Sequence, residues 1–299
     1  MELSTIEVKT QKSFTLPFEE TLIMPIADIQ YGATACDIDR FKRHIAWGVE
    51  QKNAYFIGLG DYVDYASPSN RNRLKAMIKA GELYDTAESL IDQAAQEHLE
   101  ELTEILAPTK GRWLGLLSGH HYWEFADGTT SDMRLANYLQ CAFLGTCAIV
   151  NIRFSSPKVI KEKRGQPNFN IWLHHGVGSG TLQSAPLNKL ERMAAAWDNV
   201  DVFLMAHHHK KVSAKIQRIK PRFYPSGKHD LVHRNIIIAG VGGFLRGYMA
   251  GQTDATGRPK GTYVEQGMMT PVTLGGVVIW ARPRYDHQMV GTTDLDISL

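Results

Sequence analysis

Thr21-Leu-Ile-Met-Pro-Ile-Ala-Asp28 and Ala54-Tyr-Phe-Ile-Gly-Leu-Gly-Asp61 flank a helical stretch, and together they decide the fold. The first run is apolar on both faces, as a strand inside a covered sheet must be. Its Pro25 predicts a position near a sheet edge or an irregularity, because proline lacks the ladder donor. From Asp37 to about Lys52, Phe41, Ile45 and Val49 recur at near-helical spacing. The second run is again strand-like and stops at Gly60-Asp61. Each strand of this strand–helix–strand unit delivers a carboxylate at its end, where open α/β sheets place their ligands.

Working outward, residues 72–106 read as two helices broken near Gly81. A short buried strand at 113–117 leads to His120-His121, and a helix is predicted over 132–143. Strands follow at 148–154, at 169–173 ending in His174-His175, and at 200–205 ending in His207. The last third is strand-rich, with β-branched runs at 212–219, 234–239 and 272–281. Residues 221–233 and 251–260 read as loops, and 262–276 as a return into the sheets or an oligomer contact. No linker divides the chain. The expectation is one domain over 1–299, with a helical insertion at about 65–110 forming a specificity wall over the site.

Hydrophobic content of 43% and charged content of 21% are those of an ordinary globular protein. Lys+Arg 33 against Asp+Glu 31 excludes wholesale coating of nucleic acid and leaves room for a local basic patch. Cys36, Cys141 and Cys147 have no paired spacing, which argues against a disulfide framework and for a reducing compartment. Residues 1–9 hold no apolar run that could serve as a signal peptide, and nothing approaches the ~20 apolar residues of a membrane span. These features predict a cytoplasmic protein without membrane contact.

Seven of the twelve histidines fall in three clusters, His120-His121, His174-His175 and His207-His208-His209. Ionisable groups beside buried strands are destabilising unless something pairs with them. Imidazole mixed with carboxylate suits Zn, Mn, Fe or Ni. The pattern therefore predicts a metal-dependent hydrolase. Two metals about 3.5–4 Å apart would activate water and neutralise charge on a phosphoryl group. Asp61 suits a bridging carboxylate, since Gly60 lets the backbone turn tightly beside it. His207 and His209, two apart, can reach one metal each from an extended or looped segment.

In order, these clusters resemble the motifs of the calcineurin-like metallophosphoesterases. Asp28-Ile29-Gln30 stands where that family has Asp-x-His, and Gly60-Asp61-Tyr62-Val63-Asp64 matches its Gly-Asp-x-x-Asp. Gly119-His120-His121 stands for Gly-Asn-His, His175-Gly176 for the lone histidine before glycine, and Ala206-His207-His208-His209 for Gly-His-x-His. The resemblance covers residues 20–210 and implies an α/β fold, a four-layer α-β-β-α sandwich of two mixed sheets flanked by helices. It implies two divalent metal ions, Mn, Zn, Fe or Ni. Asp28, Asp61 and His209 would hold one, with Gln30 at the position of the family's histidine. Asp61, His175 and His207 would hold the other, with His120 at the position of the asparagine. His121 would protonate the leaving group. Gln30 offers only a neutral oxygen, and His120 replaces an oxygen donor with nitrogen, so the two metal sites should differ from the family's.

The implied activity is hydrolysis of a phosphate ester by metal-bound hydroxide. A phosphodiester in nucleic acid or a nucleotide leads, and a phosphomonoester or a non-catalytic interaction scaffold are the rivals. Around the clusters, Asp64 reads as a support of the site or as a turn cap. His174 and His208 read as orienting residues. Tyr62, Tyr122 and Trp123 either stack on substrate or pack. Residues 176–180 lack the lysine and spacing of a P-loop and read as a loop skirting the site. The series Lys210, Lys211, Lys215, Arg218, Lys220, Arg222 is a solvated strand face or a track for a polyanion.

Overall fold

The computed structural model describes residues 11–155, 165–178, 180–223, 226–286 and 289–299. Residues 1–9, Ser179, positions 224–225 of the predicted loop and the Arg222 side chain lie outside what is described. In chain order the elements are β1 (Gln11–Leu16), β2 (Thr21–Ile26), α1 (Ile38–Glu50), β3 (Ala54–Gly58), α2 (Pro68–Lys79), α3 (Asp85–Leu106), β4 (Trp113–Leu116) and α4 (Ser131–Tyr138). Then come β5 (Cys147–Phe154), β6 (Asn168–His174), α5 (Ser184–Ala196), β7 (Val202–Met205), β8 (Lys211–Phe223) and β9 (His229–Gly243). The chain continues through α6 (Tyr263–Gln266), β10 (Gly275–Gly276), β11 (Val278–Tyr285) and β12 (Gly291–Ser298). No helix among the described residues is long and apolar enough to cross a membrane.

Two mixed sheets form, one in the order β12-β11-β2-β3-β4 and the other β1-β5-β6-β7-β9-β10, with β8 on β9. Strand alternation sorts the apolar residues between the layers. Ile23 and Ile57 from the first sheet meet Val150, Ile171, Leu204 and Ile237 from the second in a core between them. The opposite face of the first sheet, through Met24 and Phe56, packs on Phe41 and Ile45 of α1, Leu99 and Leu102 of α3, and Leu135 of α4. The outer face of the second sheet, through Trp172 and Phe203, packs on Leu190 and Ala194 of α5. The result is the expected four-layer α-β-β-α sandwich.

The proline expectation has a specific outcome. β11 pairs with β2 only at Thr21, Leu22 and Ile23, so Pro25 lies beyond it and is paired on the β3 side alone. The helical expectation over 72–106 resolves into α2 and α3, with Gly81 in the left-handed region at the break. α3 packs into the helical layer through Leu99, Leu102 and Leu106. Two expectations are corrected. The helix read over 132–143 stops at Tyr138, where the chain leaves it through Leu139 and a left-handed Gln140. Residues 221–233 are mostly strand, because β8 and β9 stay paired from Lys211↔Val241 out to Phe223↔His229. Their polar, irregular sequence hid a hairpin that outruns its neighbour, since β7 covers β9 only at Ile237–Gly240. β1, β12 and α5 also escaped the sequence reading. β1 and β12 are largely exposed edge strands, and α5 carries a narrow stripe of Pro186, Leu190 and Ala194.

Candidate metal centre

The candidate residues sit on loops that follow β2, β3, β4, β6 and β7, all opening at the same ends of the two sheets. Asp28, Gln30, Asp61, His207 and His209 have φ of 47°, 53°, 54°, 66° and 53°. Side chains other than glycine rarely occupy that left-handed region, and such strain collects at functional sites where surrounding contacts enforce it. Here the loops after β2 and β3 are cross-linked by backbone. Asp28 N–H donates to Gly60 O at 3.1 Å, Gln30 N–H to Asp61 O at 3.1 Å and Phe244 N–H to Asp28 O at 2.9 Å. Glycine is required where loops touch: a Cβ on Gly119 would lie 2.0 Å from Asp61 N, and one on Gly243 2.7 Å from Asp28 Cβ.

Two overlapping groups of ligand atoms result. Asp28, Asp61 and His175 form one and His120, His175 and His207 the other, with the atoms of each group within 4.8 Å of one another. Asp61 Oδ1 accepts from the backbone amides of His120 and His121, the second at 3.0 Å. Its Oδ2 faces His175 Nε2 at 3.3 Å and accepts from Gln30 Nε2 at 3.1 Å. Gln30 therefore presents nitrogen, not oxygen, to the Asp61 carboxylate as its amide stands. Asp28 Oδ2 accepts from His207 N–H at 2.9 Å, and Oδ1 faces His209 Nε2 at 3.6 Å.

Backbone carbonyls fix the imidazoles. His175 Nδ1–H donates to Leu59 O at 2.6 Å, which leaves the Nε2 lone pair for the site. His207 Nε2–H donates to Gly178 O at 2.9 Å, so its Nδ1 lone pair faces His120 Nδ1, 3.3 Å away. Six buried side-chain atoms among the described residues have no hydrogen-bond partner, and two of them, Asp28 Oδ1 and His175 Nε2, lie together in this site. Buried polar atoms of this kind are rare in folded proteins and demand an explanation. A divalent cation is the partner these nitrogen and carboxylate donors fit.

The electrostatics carry the same mark. Burial pushes the Asp28 carboxyl up, against the charges of His209 and His175. Burial also works to raise Asp61, but the His175 charge 3.3 Å away holds it below the ordinary carboxylate value. His175 would be lowered by burial, yet Asp61 and Asp28 raise it to about 9. His207 falls to about 4 through burial and the charges of His175 and His120. His120 is lowered by burial first, then by His175.

His121 stands beside both groups, its Nδ1 2.7 Å from Asp64 Oδ1. Burial alone would lower its pKa, and the hydrogen bond to Asp64 with the neighbouring carboxylates raises it instead. Asp64 thus touches His121 directly. His174 accepts from Gly176 N–H at 2.7 Å and stacks on Trp172, while His208 Nε2 accepts from Lys189 Nζ at 3.3 Å. Neither enters the two ligand groups. Tyr62 is buried, donating to Leu117 O, and Trp123 is buried with its Nε1 on Asp92. Tyr122 lies under the Arg71 guanidinium, 3.8 Å from its ring. These aromatics pack. The basic series is broken up as well: Lys210 is buried on Thr181 O, Lys215 pairs with Asp296 and Arg218 with Asp198.

Two residues were not anticipated. Asp132, in the first turn of α4, is buried and accepts from Gly119 N–H at 3.0 Å and Ser118 Oγ at 3.3 Å; burial raises it to about 6. Arg71 of α2 donates to His120 O and Tyr122 O, both at 2.9 Å. Each braces the 118–122 loop. In sequence, Asp132 reads as an ordinary helix-start carboxylate and Arg71 as a surface cation.

No family model and no curated protein matches the chain. Among solved structures, Vps29 of Chaetomium thermophilum is similar at 12% identity, covering 93% of this chain and 95% of its own, with a TM-score of 0.37. Vacuolar Protein Sorting 29 of Cryptosporidium parvum follows at 14%, 94%, 97% and 0.35. The NAD nucleotidase NadN of Haemophilus influenzae gives 8% and 0.33, covering 92% of this chain and 49% of its own. Likenesses this distant decide nothing about the site, whose chemistry follows from its own residues.

Proposed function

We propose that the chain is a metal-dependent phosphoesterase of the calcineurin-like kind, acting on a phosphodiester. The observation that carries this reading is the pair of buried atoms without a hydrogen bond, Asp28 Oδ1 and His175 Nε2, inside two overlapping ligand groups. Asp28, Asp61 and His209 would hold one divalent ion, and Asp61, His175, His207 and His120 the other. When bound, such ions supply an activated water and neutralise charge that builds on the phosphoryl oxygens.

The remaining work falls to the chain. Asp61 is fixed by the amides of His120 and His121 beside His175, the residue common to both groups. Leu59 O and Gly178 O hold His175 and His207 in the tautomers a ligand needs. His121, whose affinity for its proton Asp64 raises, is placed to hand that proton to the leaving oxygen. Among the described residues, no hydrogen bond or ion pair joins a Lys or Arg side chain to the side chains of the two groups. A singly charged diester needs less compensation than a dianionic monoester. A nucleotide or nucleic-acid backbone is the corresponding substrate class.

A non-catalytic scaffold that keeps the fold is the competing reading, and the Gln30 amide nitrogen turned to Asp61 Oδ2 favours it. Hydrolysis of bis-p-nitrophenyl phosphate and p-nitrophenyl phosphate, after chelation and readdition of Mn, Zn, Ni or Mg, separates the cases. Metal-restored turnover with the diester ahead is the expected result. Turnover of neither ester with any metal would give the scaffold first place.

A further inference from the structure

Arg40, Arg43, His44 and Trp47 are spaced along α1 so that they share one helix face. That face walls a cleft of about 520 Å³, closed on the other side by Lys211 of β8 and the glycines of β10, with Ser298 and Leu299 at its rim. The size suits a small molecule. No Asp or Glu side chain lines it. Arg40 and Arg246 share Asp37, at 3.5 and 3.0 Å, so one carboxylate serves two guanidinium groups. Among the described residues, neither Arg43 nor Lys211 has an ion-pair partner. Lys211 Nζ lies 3.8 Å from where a Cβ on Gly275 would be, which places the ammonium over bare backbone. His44 Nε2 is buried without a hydrogen-bond partner, its ring against Phe244 at 5.6 Å.

We propose that this cleft is an anion site, separate from the metal centre, that takes the phosphate of a small phosphorylated molecule. Three cations around one concavity repel one another, and a multiply charged tetrahedral oxyanion relieves that repulsion better than a single carboxylate. The guanidinium forks of Arg40 and Arg43 match phosphate oxygens in pairs, and Lys211 adds a point charge from the facing wall. His44 packs into the wall, held largely neutral by burial and by the Lys211 charge, at about 4. β10 contributes glycines alone, so a ligand can approach the backbone closely. Trp47, partly exposed at the edge, offers a face for whatever carries the phosphate. The metal ligands take no part, so this site stands whether or not the phosphoesterase reading holds.

The test is calorimetric titration of inorganic pyrophosphate into the full chain after chelation, at fixed chloride. Wild-type protein should bind, Asp61→Asn should bind within about twofold of it, and Arg43→Glu with Lys211→Glu should weaken binding by about tenfold or more. Arg43→Gln with Lys211→Gln repeats the test without charge reversal and should show the same direction, with unchanged melting as evidence of folding. Absence of binding to the wild type at millimolar pyrophosphate overturns the proposal. So does equal binding by the charge variants, or loss of binding in Asp61→Asn.

Discussion

His175 is the residue on which both ligand groups depend, and its proton is a handle on metal binding. In the metal-free protein the carboxylates of Asp61 and Asp28 raise it to about 9 although burial opposes them. A ligand imidazole must be neutral, so a cation has to displace that proton at any pH below about 9. Apparent affinity should therefore climb about tenfold per pH unit and level off above that value. His120 and His207 are lowered and neutral at pH 7, so they release nothing there. Calorimetry at pH 7 in two buffers of different ionisation enthalpy should detect about one proton released from His175. Metal binding without proton release would remove the His175–Asp61 pair from the account. His121 allows an independent check. Its pKa is raised, so stabilisation by the Asp64 pair is complete below the unfolded value and is lost as pH rises through the folded one. Activity that needs the proton fades in the same direction. Asp64→Asn should move the alkaline limb of kcat to lower pH, and His121→Ala should lower kcat about 10²- to 10⁴-fold with metal content unchanged. A pH profile that ignores Asp64 would leave it only a turn-capping role.

At the scale of elements, the strand-to-loop joints after β2, β3, β4, β6 and β7 were legible because covered strands are apolar on both faces and end abruptly in Asp or His. The helices α1, α2 and α3 were legible from period and from the break at Gly81. What stayed hidden lacks such contrast. β1 and β12 run along sheet edges with polar sequence, and the outer half of the β8–β9 hairpin has one exposed and one half-buried face with nothing fully buried. α4 ends earlier than its sequence suggests, since the chain leaves the helix at Leu139 and enters the left-handed region at Gln140. The bracing of the 118–122 loop by Asp132 and Arg71 joins residues far apart in sequence, which periodicity does not register. That loop supports a prediction at its own scale. A Cβ at Gly119 would meet Asp61 N at 2.0 Å and Asp61 Oδ1 at 2.2 Å, both parts of the metal centre. Gly119→Ala must push the β3 and β4 loops apart and strip Asp61 Oδ1 of its two amides. Stability should fall by about 1–3 kcal/mol, as for overpacking in a dense interior, and metal stoichiometry should drop. Full metal content in Gly119→Ala, read by elemental analysis, would mean the loops tolerate separation and the centre is less rigid than the contacts imply.

Across the whole molecule, the four layers carry a penalty at the one place where the sheets open. Five non-glycine residues there are held left-handed, each at a cost on the order of 1 kcal/mol or more. A fully buried carboxylate oxygen and a buried imidazole nitrogen also stand without hydrogen bonds. Without a cation, such a centre opposes the stability the sandwich core provides; with one, it adds to it. Metal at 100 times its Kd should contribute about 2.7 kcal/mol, which for a chain of this size is a rise in Tm of roughly 4–5 °C. Asp28→Asn separates the two halves of that statement. Asparagine keeps the volume and an oxygen to accept from His207 N–H, and its amide can face His209 where the unpartnered oxygen now stands. The buried charge that burial disfavours is gone. The metal-free variant should therefore melt at or above the temperature of the metal-free wild type, while its gain on adding Mn or Zn should largely disappear. Thermal melts of both proteins with and without metal decide the matter. If metal-free Asp28→Asn melts well below the wild type, Asp28 is structural, and the strain at the sheet ends has another origin than a place kept for a cation.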